Sequence, residues 1–373
     1  MTVKTDSSQP EPAAGSRSDL PVVVGVDTHQ QTHHGAVIDT AGRLLGSAQF
    51  AANARGYRDL WQWACGFSRV GVTAIGVEST GSYGAGLTQH LLTTDPDAWA
   101  DQIDVREVIR PTKTVRTMVG KSDPIDAEAA ARAVLAGTAT GRPKVKTGVV
   151  ESIRAVALTR SSAVKERTRS ESQLRDLITT APTVLREELL PLTTKARVAR
   201  ALTLRPDLAA LSDPTQATKY ALRSLARRIK ALTAEIGEAD RVLKPLVEAA
   251  APRLMALPQV GVNTAAQMLI TGGQNIERLH SEAAFARLVG VAPVPASSGK
   301  TTRVRLSRGG DRQANTKIHL MVLRRLATDP ATKTYMERRS REARMDTKSV
   351  LRCLKRYAAR QIYHALRADL LST

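Results

Sequence analysis

The chain has 373 residues, 42% of them hydrophobic and 24% charged, which is enough for two or three domains with cores of their own and unlike a disordered chain. No run approaches the roughly 18 apolar residues of a membrane span, and Cys65 and Cys353 are too few for a disulfide framework or a cysteine zinc site. The net charge of +20 is uneven: residues 21–140 carry 10 Lys+Arg against 12 Asp+Glu, residues 141–300 carry 25 against 14, and residues 301–373 carry 18 against 6. A near-neutral front followed by a basic remainder implies a polyanionic partner, nucleic acid above all. Aromatic residues, at 3%, are too scarce for base stacking to be the main mode of binding, so phosphate contacts by Arg and Lys are expected.

Residues 1–20 lack the apolar core of a signal peptide and read as a disordered polar tail. PVVVGVD (21–27) is a β-branched run ending in an acid. Two further strands joined across DTAGR follow, as a hairpin. Leu60, Trp61, Ala64 and Phe67 recur at helical spacing, with Trp61 and Trp63 expected as core and surface residues of one helix. GVTAIGVE (71–78) is another buried strand ending in an acid; a helix, a fifth strand at DVREVIRP and a helix from KSDPIDAEAA complete an α/β domain over 21–145 with a mixed sheet. Residues 150–250 are nearly all helical, read as a long antiparallel pair of coiled-coil character that mediates oligomerisation. A mainly α domain over 251–373 opens with LMALPQVGVNTAAQMLI, which resembles a helix-hairpin-helix, whose helix N-terminus meets a DNA phosphate.

Three acidic sites line up in this order. Asp27 ends the first strand, Glu78 ends the fourth, and Asp123 with Asp126 opens a later helix. Taken alone, Asp123-Pro124 with an acid three residues on is a helix-start signature. In an open sheet, however, strand-end side chains meet at the edge where ligands bind, and an i, i+3 pair shares one helical face. Four converging carboxylates repel one another unless a cation neutralises them, and hard oxygen donors suit Mg²⁺ or Mn²⁺. Such ions serve phosphodiester chemistry.

The segments VGVDTHQQTH, GVESTGSYG and KSDPIDAEAAARA, with the C-terminal FARLVGVAPVPASSGKTTRVRLSRGGDRQANTKIHLMVLRRL, resemble the DEDD transposases of insertion-sequence family one-hundred-ten. That resemblance implies an RNase H/RuvC-like catalytic domain bearing Asp27, Glu78, Asp123 and Asp126, and a serine, Ser298, that links covalently to DNA. It also implies a metal-dependent recombinase that excises and inserts double-stranded DNA, guided in many members by a structured element-encoded RNA. Ser297 is the alternative nucleophile, and Lys300, Arg303 and Arg305 are candidate phosphate contacts. The protein is expected to be a cytoplasmic, nucleoid-associated homo-oligomer, dimer or tetramer, with no membrane partner. Asn315 departs from the arginine often found after GGDR.

Simpler readings stand beside these. Ser297-Ser298-Gly299 is an ordinary turn composition, and His29, His33 and His34 read as solvated turn residues. Gly81, Gly84 and Gly86 lack the Lys-Ser/Thr of a phosphate loop. The alternative functions are a RuvC-like structure-specific endonuclease or junction resolvase without a covalent serine, and an actin- or sugar-kinase-like ATPase. The ATPase reading lacks a later Gly-rich adenosine loop and fits the basicity poorly.

Overall fold

The computed structural model describes residues 17–93, 103–109, 122–297, 299, 304–306, 309–341 and 345–372. These divide into two units, the residues up to Gly148 with Gly272–Ser281, and Val149–Thr271 with Glu282 onward.

The first unit is built on a mixed five-stranded sheet. Strands β1 (Val22–Thr28), β2 (Thr32–Ile38) and β3 (Leu44–Ala51) are antiparallel neighbours, while β4 (Val72–Glu78) and β5 (Asp104–Val108) continue the other side in parallel, giving the order β3-β2-β1-β4-β5. β1 is central and covered on both faces, which is why its run VVVGVDT is apolar without alternation and buried throughout. The β1–β2 turn is tight, with His29 N–H donating to the Thr32 carbonyl at 3.0 Å. In the β2–β3 turn Asp39 Oδ1 accepts from the amides of Ala41 and Arg43 at 2.9 and 2.8 Å.

Helix α1 (Ala54–Cys65) starts where the Asn53 side chain accepts from the Arg55 and Gly56 amides, and packs on the face that carries Val22, Val24 and Val26. Both of its tryptophans are buried, at 8% and 7% exposure, where one core and one surface residue were expected. Trp63 meets the rings of Phe50 and Phe67 at 5.3 and 5.1 Å between centroids, and Trp61 joins the same cluster, so the helix is covered over more than a narrow stripe. α2 (Ala85–Thr93) adds Leu87 and Leu91 to it. The other face, with Val23 and Ile38, is covered by α3 (Asp123–Leu135) through Ala131 and Val134. A mixed sheet of this order with helices on both faces is consistent with an RNase H-like fold.

The second unit is almost wholly helical. α4 (Gly148–Thr179) and, later, α7 (Pro214–Ala250) are 32 and 37 residues long, about 48 and 55 Å at 1.5 Å per residue. They run antiparallel, since Arg160 is bonded to Asp240 at 2.6 Å while Leu174 and Ile178 share a core with Leu222, Ala226 and Ile229. Two short helices between them, α5 (Thr183–Leu189) and α6 (Thr194–Thr203), close that core with Leu185, Leu189 and Ala201.

The remaining elements are α8 (Pro252–Met255), α9 (Val262–Gly272), α10 (Glu282–Leu288), the two-stranded β6 (Pro293–Pro295) and β7 (Val304–Leu306), α11 (Arg312–Thr328), α12 (Pro330–Arg341) and α13 (Thr347–Leu370). α13 packs against α8, α10, α11 and α12. Its Asp369 accepts from the Arg253 and Leu254 amides at 3.0 and 2.9 Å, capping α8 from a distant part of the chain. Asp311 caps α11 with one oxygen and takes the Thr271 hydroxyl on the other at 2.7 Å. Among the described residues no helix is long and apolar enough to cross a membrane.

Candidate functional site

The parallel register of β1 and β4 pairs Val26 with Val77, so Asp27 and Glu78 follow side by side on one face. Both are nearly wholly buried, at 3% and 1% exposure, an expensive position for two carboxylates. The Thr28 hydroxyl donates to the Glu78 carbonyl at 3.1 Å and ties the two strand ends together. The next residue, Ser79, has φ +50°, a left-handed conformation that costs a serine energy at the exit of this strand.

Asp123 and Asp126 are carried over the same face by α3. The helix lies unusually close to the sheet because the strand residues beneath it are glycines. A Cβ on Gly25 would overlap the Ala127 carbonyl and the Ala131 amide, and one on Gly76 would stand 2.6 Å from Val134 Cγ2. The facing helix residues Ala127, Ala130 and Ala131 are fully buried. Two glycines and three alanines therefore set the distance between strand ends and helix start.

The helix-start signature has a different outcome from the one its sequence suggests. The N-cap is Ser122, without a side-chain capping bond, so Asp123 and Asp126 both fall inside the first turn. Asp126 is buried, and Asp123 Oδ1 lies 3.8 Å from His29 Nε2. The other ring nitrogen of His29 lies 3.7 Å from Asp27 Oδ2. One ligand atom each from Asp27, His29 and Asp123 thus lies within 4.8 Å of the others, a donor set that fits a single cation.

The electrostatics agree with that geometry. Burial pushes the Asp27 carboxyl above its ordinary range; His29 opposes this, while Asp126 and Asp123 push it further up. That is the like-charge cost a cation would relieve, offset in part by the positive end of α3. His34, opposite Asp27 on β2, bonds Ser47 Oγ at 2.6 Å; burial pulls its pKa down against the pull of Asp123 and Asp27. His33 points to the other face, 1% exposed and stacked on Tyr57 at 5.5 Å. His33 and His34 are therefore not solvated turn residues, because they lie in β2, whereas His29 stays in the turn, 41% exposed, with its ring toward the acids. The spacing Asp27-x-His29 beside a strand end was the available signal.

Of the C-terminal candidates, Ser297 is exposed, Gly299 has φ +55°, and Arg305 is exposed on β7 opposite Val294. Ser298, Lys300 and Arg303 lie outside the described residues. Asn315 is a structural link, its amide donating to the Gly290 carbonyl at 2.6 Å and its oxygen accepting from the buried Lys355 at 2.5 Å.

A family model for DEDD transposases of the IS110 type matches residues 24–181, and one for transposases of the IS116/IS110/IS902 family matches residues 251–337. An insertion element IS900 protein of Mycobacterium paratuberculosis, described as an uncharacterized 42 kDa protein, is 30% identical over 135 residues, 35% of this chain and 34% of the relative. An insertion element IS110 protein of Streptomyces coelicolor, described as an uncharacterized 43.6 kDa protein, is 32% identical over 132 residues, 35% of this chain and 32% of the relative. The chain spans about a third of the length of these curated relatives. With the front match lying over the strand-end acids and α3, and the second over the C-terminal helices, the chain belongs to the IS110 family of DEDD transposases.

Proposed function

We propose that this protein is a recombinase that excises and inserts a mobile element by cutting and rejoining double-stranded DNA. The observation that carries the reading is the gathering of Asp27, Asp123 and Asp126 within electrostatic reach of one another, with Glu78 beside Asp27, in a chain of this family. In this reading the four acids, in a catalytic domain over 21–145, hold Mg²⁺ or Mn²⁺. Such an ion, when bound, polarises a phosphodiester and stabilises its leaving oxygen. His29 orients Asp27 and Asp123 and tempers their repulsion.

Ser298 supplies the nucleophile. Its hydroxyl oxygen bonds to phosphorus as the strand's P–O ester bond breaks; the hydroxyl gives up its proton to a base and the leaving strand oxygen takes one up. One phosphoester replaces another, so the strand can be resealed without ATP. Lys300, Arg303 and Arg305 neutralise the phosphate, and the α8–α9 turn serves as a helix-hairpin-helix-like backbone contact. The α4–α7 pair supports assembly into a dimer or tetramer, an element-encoded RNA selects the target, and the protein acts at the nucleoid.

The test is strand cleavage of DNA carrying the element's ends, with Mg²⁺ or Mn²⁺, by the parent and by Asp27→Ala, Glu78→Ala, Asp123→Ala and Asp126→Ala. Each variant should lose cleavage and keep DNA binding. If Asp123→Ala and Asp126→Ala lost thermal stability alone and still cut DNA, their role would be that of helix-start residues and the reading would fail.

A further inference from the structure

A second site is built into the C-terminal helices. A cavity of about 510 Å³ opens between β6–β7, α12 and α13. Its volume lies in the range of ligand pockets. Five guanidinium groups border it, from Arg305, Arg338, Arg339, Arg352 and Arg356, and there is no Asp or Glu among the described residues that line it. Among the described residues the one carboxylate within 4.0 Å of any of the five is Glu282, 3.6 Å from Arg356. Arg339 Nε is buried with no hydrogen-bond acceptor among the described residues. So many like charges around one cavity repel one another unless an anion enters.

The rest of the wall is not what a bare phosphate needs. Tyr335 and Tyr357 meet edge to face at 5.6 Å, and the Arg338 guanidinium lies 5.7 Å from the Tyr335 ring centre. Two of the chain's six tyrosines converge here, beside an apolar side formed by Val291, Pro293 and Val304. Tyr357 is 53% exposed, so its ring is accessible to a partner. Aromatic faces for a flat heterocycle and forked donors for a phosphate are the two halves of nucleotide recognition.

We propose that this cavity holds one nucleoside phosphate unit, its base against Tyr335 and Tyr357 and its phosphate on the surrounding guanidinium groups. A base inside a duplex is stacked on both faces and cannot enter such a cavity, so the unit is unpaired. The charge of residues 301–373 favours a unit presented by a nucleic acid strand over a free nucleotide. The inference stands on the cavity and does not require the carboxylate site to act as proposed above.

The experiment uses the full-length chain in EDTA, which silences metal-dependent cleavage. A short single-stranded oligonucleotide with one 2-aminopurine and deoxyadenosine monophosphate are titrated separately. The oligonucleotide's fluorescence should change on binding, and the same sequence as a duplex should give no such change. Tyr357→Ala and Tyr357→Leu should weaken single-strand binding by about 5- to 150-fold, the loss of one base–aromatic stack, and Tyr357→Phe should restore it. Arg338→Gln and Arg352→Gln should flatten the dependence of affinity on salt. Tyr357-dependent binding of the oligonucleotide alone identifies a strand as the source; Tyr357-dependent binding of the monophosphate identifies the free nucleotide. Equal affinity of the parent, Tyr357→Ala and Tyr357→Leu for both probes would overturn the proposal.

Discussion

Gly25→Ala is the sharpest test of how the acids are positioned. The substitution adds one methyl group where α3 rests on β1, overlapping the Ala127 carbonyl and standing 2.9 Å from Ala131 Cα. Carbon–carbon contacts settle at about 3.5–4.0 Å, so the helix must retreat by about 1 Å. The obstructing atoms are backbone, and no side chain can turn aside to make room. Ala127 adjoins Asp126, so the retreat is delivered to the carboxylates almost undiminished. A displacement of about 1 Å at reacting groups costs on the order of 100-fold in rate, while overpacking costs about 1–3 kcal/mol of stability. The measurement is the single-turnover cleavage rate at saturating metal and DNA, with a thermal melt alongside. Gly81→Ala is the control, because a Cβ there meets nothing within 4 Å. A folded Gly25→Ala protein that cleaves as fast as the Gly81→Ala control would refute the claim that backbone contact sets the spacing of the acids.

Three more outcomes are expected. Asp27 has a raised carboxyl pKa in the folded protein, so its contribution to stability is present below the ordinary carboxylate value and is lost as pH rises through the folded value. Asp27→Asn should therefore melt higher than the parent at neutral pH in EDTA and lose that advantage in acid; a lower melting temperature at neutral pH would contradict the assignment. Ser79→Gly should raise stability by about 1 kcal/mol in a denaturant titration, because glycine accepts the left-handed φ of +50° that serine resists; unchanged stability would mean the turn is not strained. Ser298→Ala should bind DNA and trap no covalent adduct on denaturing gels, whereas Ser297→Ala should trap one. An adduct with Ser298→Ala would transfer the role to Ser297, and cleavage without any adduct in the parent would favour the structure-specific nuclease.

The strands bearing Asp27 and Glu78 were legible because a buried β-branched run that stops at an acid has few other uses. The long helices were legible from apolar residues at three- and four-residue steps, as at Leu222, Ala226 and Ile229. The first turn of α3 was legible as a helix start, but the identity of its cap was not, since Ser122 and Asp123 both suit that position. Two features of the site were hidden for a common reason. Gly25 and Gly76 matter through the helix that lies across them, a partner about a hundred or fifty residues away in the chain, and glycine inside a strand carries no local signature of what approaches it. His29 likewise takes its place from the tightness of one hairpin, and polar residues between strands look alike until the turn is known.

The far end of the helical pair holds its own apolar cluster, with Leu174, Ile178, Leu185, Leu189 and Leu222 all at or below 2% exposure. Between Ile153 and Leu174 of α4, the buried positions are Ala163 and Ser170, which have little apolar surface to contribute. Cohesion is thus concentrated toward the two ends, with Ile153, Leu243 and Val247 buried at the other one, and thin in between. Such an arrangement behaves as a separate unit of cooperative opening. Amide hydrogens of residues 174–229 should exchange together, at a rate distinct from those of the intervening turns, so that the arm can slacken along its length while its end keeps its shape.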